Sequence, residues 1–235
     1  MRVLAYVFFM TLAGTASAYE AVILLHGMVR TDKSMAKMAA ALEREGFVVV
    51  NVDYPSRTDT VAPLAAKVIP AALADPRLAG ATRIHFVTHS LGGILVRQFL
   101  KANRPDRLGR VVMLGPPNQG SEVVDRIGDW RTFAALNGPA GRQLGTGPES
   151  VPSQLGPVDF ELGVIAGDRS INWINSLMIP GPDDGKVSVA RTKVAGMKAH
   201  RVLHATHPYL MKNRRAIRET IHFLRHGEFI SNQAR

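Results

Sequence analysis

"RIHFVTHSLGGILVRQFL" (residues 83–100) is the stretch on which the fold turns. Residues 84–87 are an apolar run of strand length. It halts at Thr88-His89-Ser90-Leu91-Gly92-Gly93, and the apolar residues that follow recur with a helical period. A strand that meets a serine and passes directly into a helix is half of a parallel β-α unit. Runs of the same kind recur at 21–25, 47–52, 111–114, 162–166 and 201–203. Between several of them lie helical patterns. Residues 34–45 place Met35, Met38, Ala39 and Leu42 on one face, with Gly46 as the stop signal. Residues 61–73 and 91–102 read the same way, although Pro63 and Pro70 predict irregularity in the former. The expectation is an α/β fold with a mostly parallel sheet of about six strands and helices on both faces. Reactive groups in such sheets sit beyond the carboxyl ends of the strands.

Ser90 stands at such an end. As a helix cap it would be unremarked. As a nucleophile on a strand–helix turn it would be flanked as G-x-S-x-G, and here Thr88 replaces the first glycine while Gly92 keeps the second. A serine nucleophile needs a base, an acid and donors for an oxyanion. His26-Gly27 closes the first strand, so the Met28 amide is the expected partner of the Leu91 amide in holding an oxyanion; His26 itself suits a loop-orienting role. His204 and His207 both fit the end of the last strand, His204 still on it and His207 in the loop beyond, which favours His207 as base. His85 and His89 are too close along the chain for an in-line contact, and His200, His222 and His226 read as surface residues. Two aspartates compete for the acid: Asp184, beside Asp183 in "GPDDGKVSV", and Asp168, directly after a strand. Asp-Gly is also a common turn pair, so turn chemistry competes with either role.

The chain has 235 residues, no cysteine and a formal charge of +10. Disulfides and thiolate chemistry are therefore excluded. The charge favours anionic surfaces such as lipid headgroups; the basic residues are dispersed and carry no nucleic-acid motif, so nucleic acid is not an expected partner. "MRVLAYVFFMTLAGTASA" (1–18) has Arg2, an apolar stretch and an A-x-A site, the pattern of a signal peptide cleaved after Ala18. That predicts a secreted or periplasmic protein whose mature domain spans 19–235. Within it, 118–158 is rich in Gly and Pro yet repeats Val123, Ile127, Trp130, Phe133 and Leu136 at helical spacing, predicting a helix inserted as a cap or lid. A C-terminal helix over 208–226 places Ile217, Ile221 and Leu224 on one face; its arginines, largely elsewhere, could rest on anionic lipid.

Four segments in order, "LLHGM" (24–28), "VTHSLGG" (87–93), "DGKVSV" (184–189) and "HATHPYLM" (204–211), resemble the α/β-hydrolase superfamily, in particular small secreted bacterial lipases and esterases. A fifth, "VMLGPPNQGS" (112–121), is similar to the Gly-x-Pro-x-x-Gly-Ser segment of many lipases. The resemblance covers essentially the whole mature chain and implies an α/β-hydrolase fold. It implies Ser90 as nucleophile, Asp184 as acid because it stands before the glycine of Asp-Gly-x-Val, and His207 as base. It also implies an acyl-enzyme route on lipid or small-molecule esters with neither metal nor cofactor. The same triad would serve phospholipid, thioester or amide substrates. Thr88 and Pro117-Asn118-Gln119 depart from the family pattern.

Overall fold

The computed structural model describes residues 18–231; the signal-peptide reading of 1–18 lies outside them but for Ala18. Six strands run in chain order as β1 (Tyr19–Leu25), β2 (Val48–Val52), β3 (Ala81–His89), β4 (Leu108–Leu114), β5 (Leu162–Gly167) and β6 (Ala199–Leu203). The eight α-helices among the described residues are α1 (Ala36–Arg44), α2 (Val61–Leu73), α3 (Leu91–Leu100), α4 (Glu122–Ile127), α5 (Arg131–Arg142), α6 (Val151–Leu155), α7 (Trp173–Ser176) and α8 (Arg214–His226). The strands form one sheet in the order β2-β1-β3-β4-β5-β6, and every pairing is parallel.

Both faces of the sheet are buried, and the two-residue period of a strand divides its side chains between them. Ile23, Leu25, Phe86, Val111 and Met113 point into one core with Val61, Leu64 and Ile69 of α2 and Ile94 and Leu95 of α3. Val22, Leu24, Val87, Val112 and Leu114 point into the other, with Met38 and Leu42 of α1 and Phe223 and Leu224 of α8. This explains why the central strands read as unbroken apolar runs: each successive residue faces a different core.

Helix boundaries differ from expectation where chemistry intervenes. Residues 32–35 form a 3-10 turn before α1. Pro63 falls in the first turn of α2, where no amide bond is lost, and the helix runs unbroken through Pro70. The single helix expected in the insertion is two, α4 and α5. A break after Gly128 separates them, and α5 kinks at Gly138, whose φ of 68° precedes Pro139. Their apolar residues are not all packed on the body either: Val123 is buried, whereas Trp130 and Leu136 are 61% and 54% exposed. The C-terminal helix starts later than expected, after a 3-10 turn at His207–Lys212, with the Asn213 side chain accepting from the Arg215 and Ala216 amides as its cap. Ile217, Ile221 and Leu224 of α8 pack into the second core, so that apolar face is not available to lipid. Among the described residues no helix is long and apolar enough to cross a membrane.

Candidate active site

β3 ends at His89 and α3 begins at Leu91, leaving Ser90 alone on the turn with φ 51° and ψ −119°. An L-residue rarely adopts this backbone, and here it lifts the side chain clear of the sheet edge. The Ser90 amide donates to the Leu114 carbonyl at 2.9 Å, which pins the turn to β4. Glycine is required at 92 because a Cβ there would lie 2.7 Å from the Leu25 carbonyl oxygen and 2.9 Å from that of His26. Thr88 is fully buried, and the space it needs comes from Gly93, where a Cβ would sit 3.2 Å from the Thr88 hydroxyl. The glycine missing before the serine is thus compensated by one after it.

The fold brings together Ser90, His207 and Asp184, 117 and 23 residues apart in sequence. The Ser90 hydroxyl lies 3.1 Å from His207 Nε2, and His207 Nδ1 donates to Asp184 Oδ2 at 2.7 Å. Asp184 is 1% exposed. Its other oxygen accepts the Lys186 and Val187 amides at 3.0 and 2.9 Å, and its carbonyl accepts the His207 amide at 2.9 Å. Acid and imidazole are therefore tied through side chain and main chain alike. Beneath them Gly115 turns with φ 56°, and a Cβ there would come within 3.1 Å of both Asp184 Oδ2 and His207 Nδ1.

The competing residues find other work. Asp183 accepts the Gly185 amide at 2.7 Å and the Ser176 hydroxyl at 2.9 Å, the turn chemistry of an Asp-Gly pair, and anchors α7. Asp168 and His204 pair with each other at 3.0 Å, with the His204 side chain 73% exposed; His204 lies one residue past β6 rather than on it. His26 stacks on Tyr54, accepts its amide at Nε2, and contacts the Gly27 carbonyl through Nδ1, so it orients the loop after β1. His200 is half-buried, not a surface residue, and touches the Thr192 hydroxyl at 2.9 Å. Burial, with help from nearby Lys193, pushes its pKa down to about 4.

Sequence spacing overlooked His89. It cannot approach the serine in line, yet its Nε2 donates to the His207 carbonyl at 3.0 Å and its ring lies 4.8 Å from that of His207. Burial, then the neighbouring imidazole, holds it neutral well below the ordinary histidine range. A neutral donor clamps the loop of His207 without adding charge beside the ring.

Met28 and Leu91 carry main-chain N–H groups with no acceptor among the described residues. Gly27 allows the Met28 loop to approach, since a Cβ there would lie 3.1 Å from the Ser90 Cβ. Val29 follows with φ 57° and donates its amide to the Ser56 hydroxyl at 3.2 Å. Val29 and Ser90 are the two non-glycine residues with positive φ among the described residues, and both line one cavity of about 460 Å³. Its walls are largely apolar, built from Met28, Val123, Val124, Phe133, Leu144 and Val187. A hydroxyl, an imidazole and a buried carboxylate in series can pass a proton away from the hydroxyl as it attacks a carbonyl. Unpaired amides beside it can bind the developing negative charge.

A six-stranded parallel sheet of this order, with a serine on a strained turn after its third strand, defines the α/β-hydrolase class. The sequence matches the alpha/beta hydrolase family over residues 22–220, and the chain belongs to that family. Among solved structures, the mature lipase BlEst2 of Bacillus licheniformis aligns with a TM-score of 0.64 at 19% identity, over 91% of this chain and 94% of that one. A metagenomic carboxyl esterase aligns at 0.64 and 21% identity over 83% of this chain and 66% of its own. Phospholipase PlaB of Legionella pneumophila aligns at 0.59 and 22% identity over 74% of this chain but 45% of its own. At these identities the likeness is one of fold. No curated protein sequence matches the chain.

Proposed function

We propose that this α/β-hydrolase is a serine carboxylic-ester hydrolase of lipase or esterase type. Ser90 Oγ attacks the ester carbonyl while His207 Nε2 takes its proton, and Asp184 stabilises the imidazolium. The oxyanion is received by the Met28 and Leu91 amides, each such donor being worth about 3 kcal/mol in the transition state. The tetrahedral adduct expels the alcohol, which carries off the proton from His207, and leaves an acyl-enzyme. Water, deprotonated by the same imidazole, then releases the acid and restores the serine. One observation carries this reading: the Ser90–His207–Asp184 chain at 3.1 and 2.7 Å opens into a largely apolar cavity suited to an acyl group. The signal-peptide pattern of 1–18 supports action outside the cytoplasm.

The test is a fluorophosphonate probe together with turnover of short nitrophenyl esters. Wild type should be labelled and active, and Ser90→Ala should lose both while keeping its melting temperature. Labelling or hydrolysis that survives Ser90→Ala would overturn the assignment.

A further inference from the structure

A second, wider groove of about 1000 Å³ adjoins the reaction cavity, and the two share Val29 and Arg30 as a wall. Lys33, Arg57 and Lys212 add three more cations to this groove, against a single carboxylate, Asp53. That carboxylate is 63% exposed and accepts the Asp32 amide at 3.4 Å, so it offsets one of the four charges and leaves the groove with an excess of cations. None of the four cations forms an ion pair among the described residues. Several surface cations elsewhere are matched, Arg77 with Asp75 at 2.8 Å, Arg110 and Lys198 with Glu161 at 2.7 Å, and Arg225 with Glu20 at 3.2 Å. Others, such as Lys37, Lys67, Arg83 and Arg218, stand unpaired among the described residues but do not line the groove. Concentrating unmatched positive charge in one concavity raises the energy of the empty groove, and an anion relieves it.

The groove is also held in shape. Ser56, 4% exposed, accepts the Val29 amide and retains its own hydroxyl proton to donate. The main chain of Arg57 lies directly against Gly138 of the insertion, where a Cβ would sit 2.2 Å from the Arg57 carbonyl oxygen. An ester whose carbonyl sits at Ser90 with its acyl chain in the apolar cavity can send its alcohol half across the Val29–Arg30 wall.

From this arrangement we infer that the groove receives a phosphate group carried on the alcohol half of an acyl ester substrate. A phosphate offers several acceptor oxygens, which suits the arginine forks and the Ser56 hydroxyl better than a single carboxylate would. The inference rests on the ester-hydrolase reading above, and the experiment separates the two.

The kcat/KM values of a monoacylglycerol and of the monoacylglycerol phosphate with the same chain are compared at low and high salt. The expected result is a preference for the phosphate ester that shrinks as salt screens the groove. In Lys33→Gln/Arg57→Gln the preference falls about tenfold, two exposed charge contacts being removed. Calorimetric titration of Ser90→Ala with glycerol 3-phosphate, and separately with inorganic phosphate, reads the groove without turnover. Saturable glycerol 3-phosphate binding that weakens in Lys33→Gln/Arg57→Gln on the Ser90→Ala background supports the inference, even if no ester is hydrolysed. Equal rates for the two esters in wild type, a preference unchanged in the double variant, or inorganic phosphate binding as tightly as glycerol 3-phosphate would each overturn it.

Discussion

Gly115→Ala is the sharpest single perturbation of the site, because it leaves every proposed catalytic group in place and disturbs only their support. Two costs are separable. An alanine at φ 56° sits in the left-handed region and should lose about 1–2 kcal/mol of stability, which in a domain of this size lowers Tm by about 2–4 °C per kcal/mol. Its methyl group would also lie 3.1 Å from both Asp184 Oδ2 and His207 Nδ1, and must press on the pair whose own separation is 2.7 Å. Neither partner can retreat freely, since Asp184 is bonded to two amides and His207 is held through its amide and carbonyl. A displacement of several tenths of an ångström in a catalytic imidazole should cost about 10- to 100-fold in kcat with little change in KM. Gly46→Ala is the control: its φ is 84° and a Cβ there meets nothing within 4 Å, so it carries the backbone strain alone. Steady-state kinetics on a short nitrophenyl ester and thermal melts of both variants complete the comparison. If Gly115→Ala retains the kcat of Gly46→Ala at equal stability, the pressure on the Asp184–His207 bond is not what glycine avoids at 115.

Two further outcomes concern stability. His26, His85, His89 and His200 all have pKa values lowered chiefly by burial, so the unfolded chain binds protons near 6.5 that the native chain refuses. Stability must then fall as pH drops below about 6.5, by up to about 1.4 kcal/mol per pH unit for each group, and for His200 the fall continues to about pH 4. Melts at pH 7 and pH 5 check the sign, and His200→Gln, which keeps a donor for Thr192, should flatten the slope. Arg97, 3% exposed, donates to the Asn118 and Gly156 carbonyls at 2.8 and 2.7 Å and so fastens the insertion to α3. Arg97→Met should cost about 2–4 kcal/mol by stranding those carbonyls, and amide exchange should quicken across 116–158 before it does in the sheet.

The fold was legible wherever residues repeat with a single period. β1, β3, β4 and β5 are buried on both faces, so their apolar runs are continuous, and α1 and α8 carry one apolar stripe each. The insertion was less legible because Val123, Ile127, Trp130, Phe133 and Leu136 fit one helical stripe. Spacing alone does not register that Gly128 and Gly138 break the path. At the site, the expected meeting of Ser90 and His207 followed from strand ends and chain order, whereas the choice of Asp184 over Asp168 leaned on the resemblance of "DGKVSV" to the family. The parts that support it did not: Gly115, His89 and Ser56 act through contacts with residues 69, 118 and 27 positions away, for which local pattern has no signal. The roles of Thr88 and Gly93 became clear only when their side chains were seen to share one space.

The sheet order has a consequence for when chemistry can begin. β6 is an edge strand that pairs with β5 alone, and His207 hangs four residues beyond it. As the chain is synthesised, the serine, its turn and both amides emerge long before the imidazole that would awaken them. Under the proposed mechanism the protein stays inert until β6 pairs with β5 and delivers His207 to Ser90. Loosening that edge alone should extinguish turnover in a molecule whose remaining five strands still melt as a folded body.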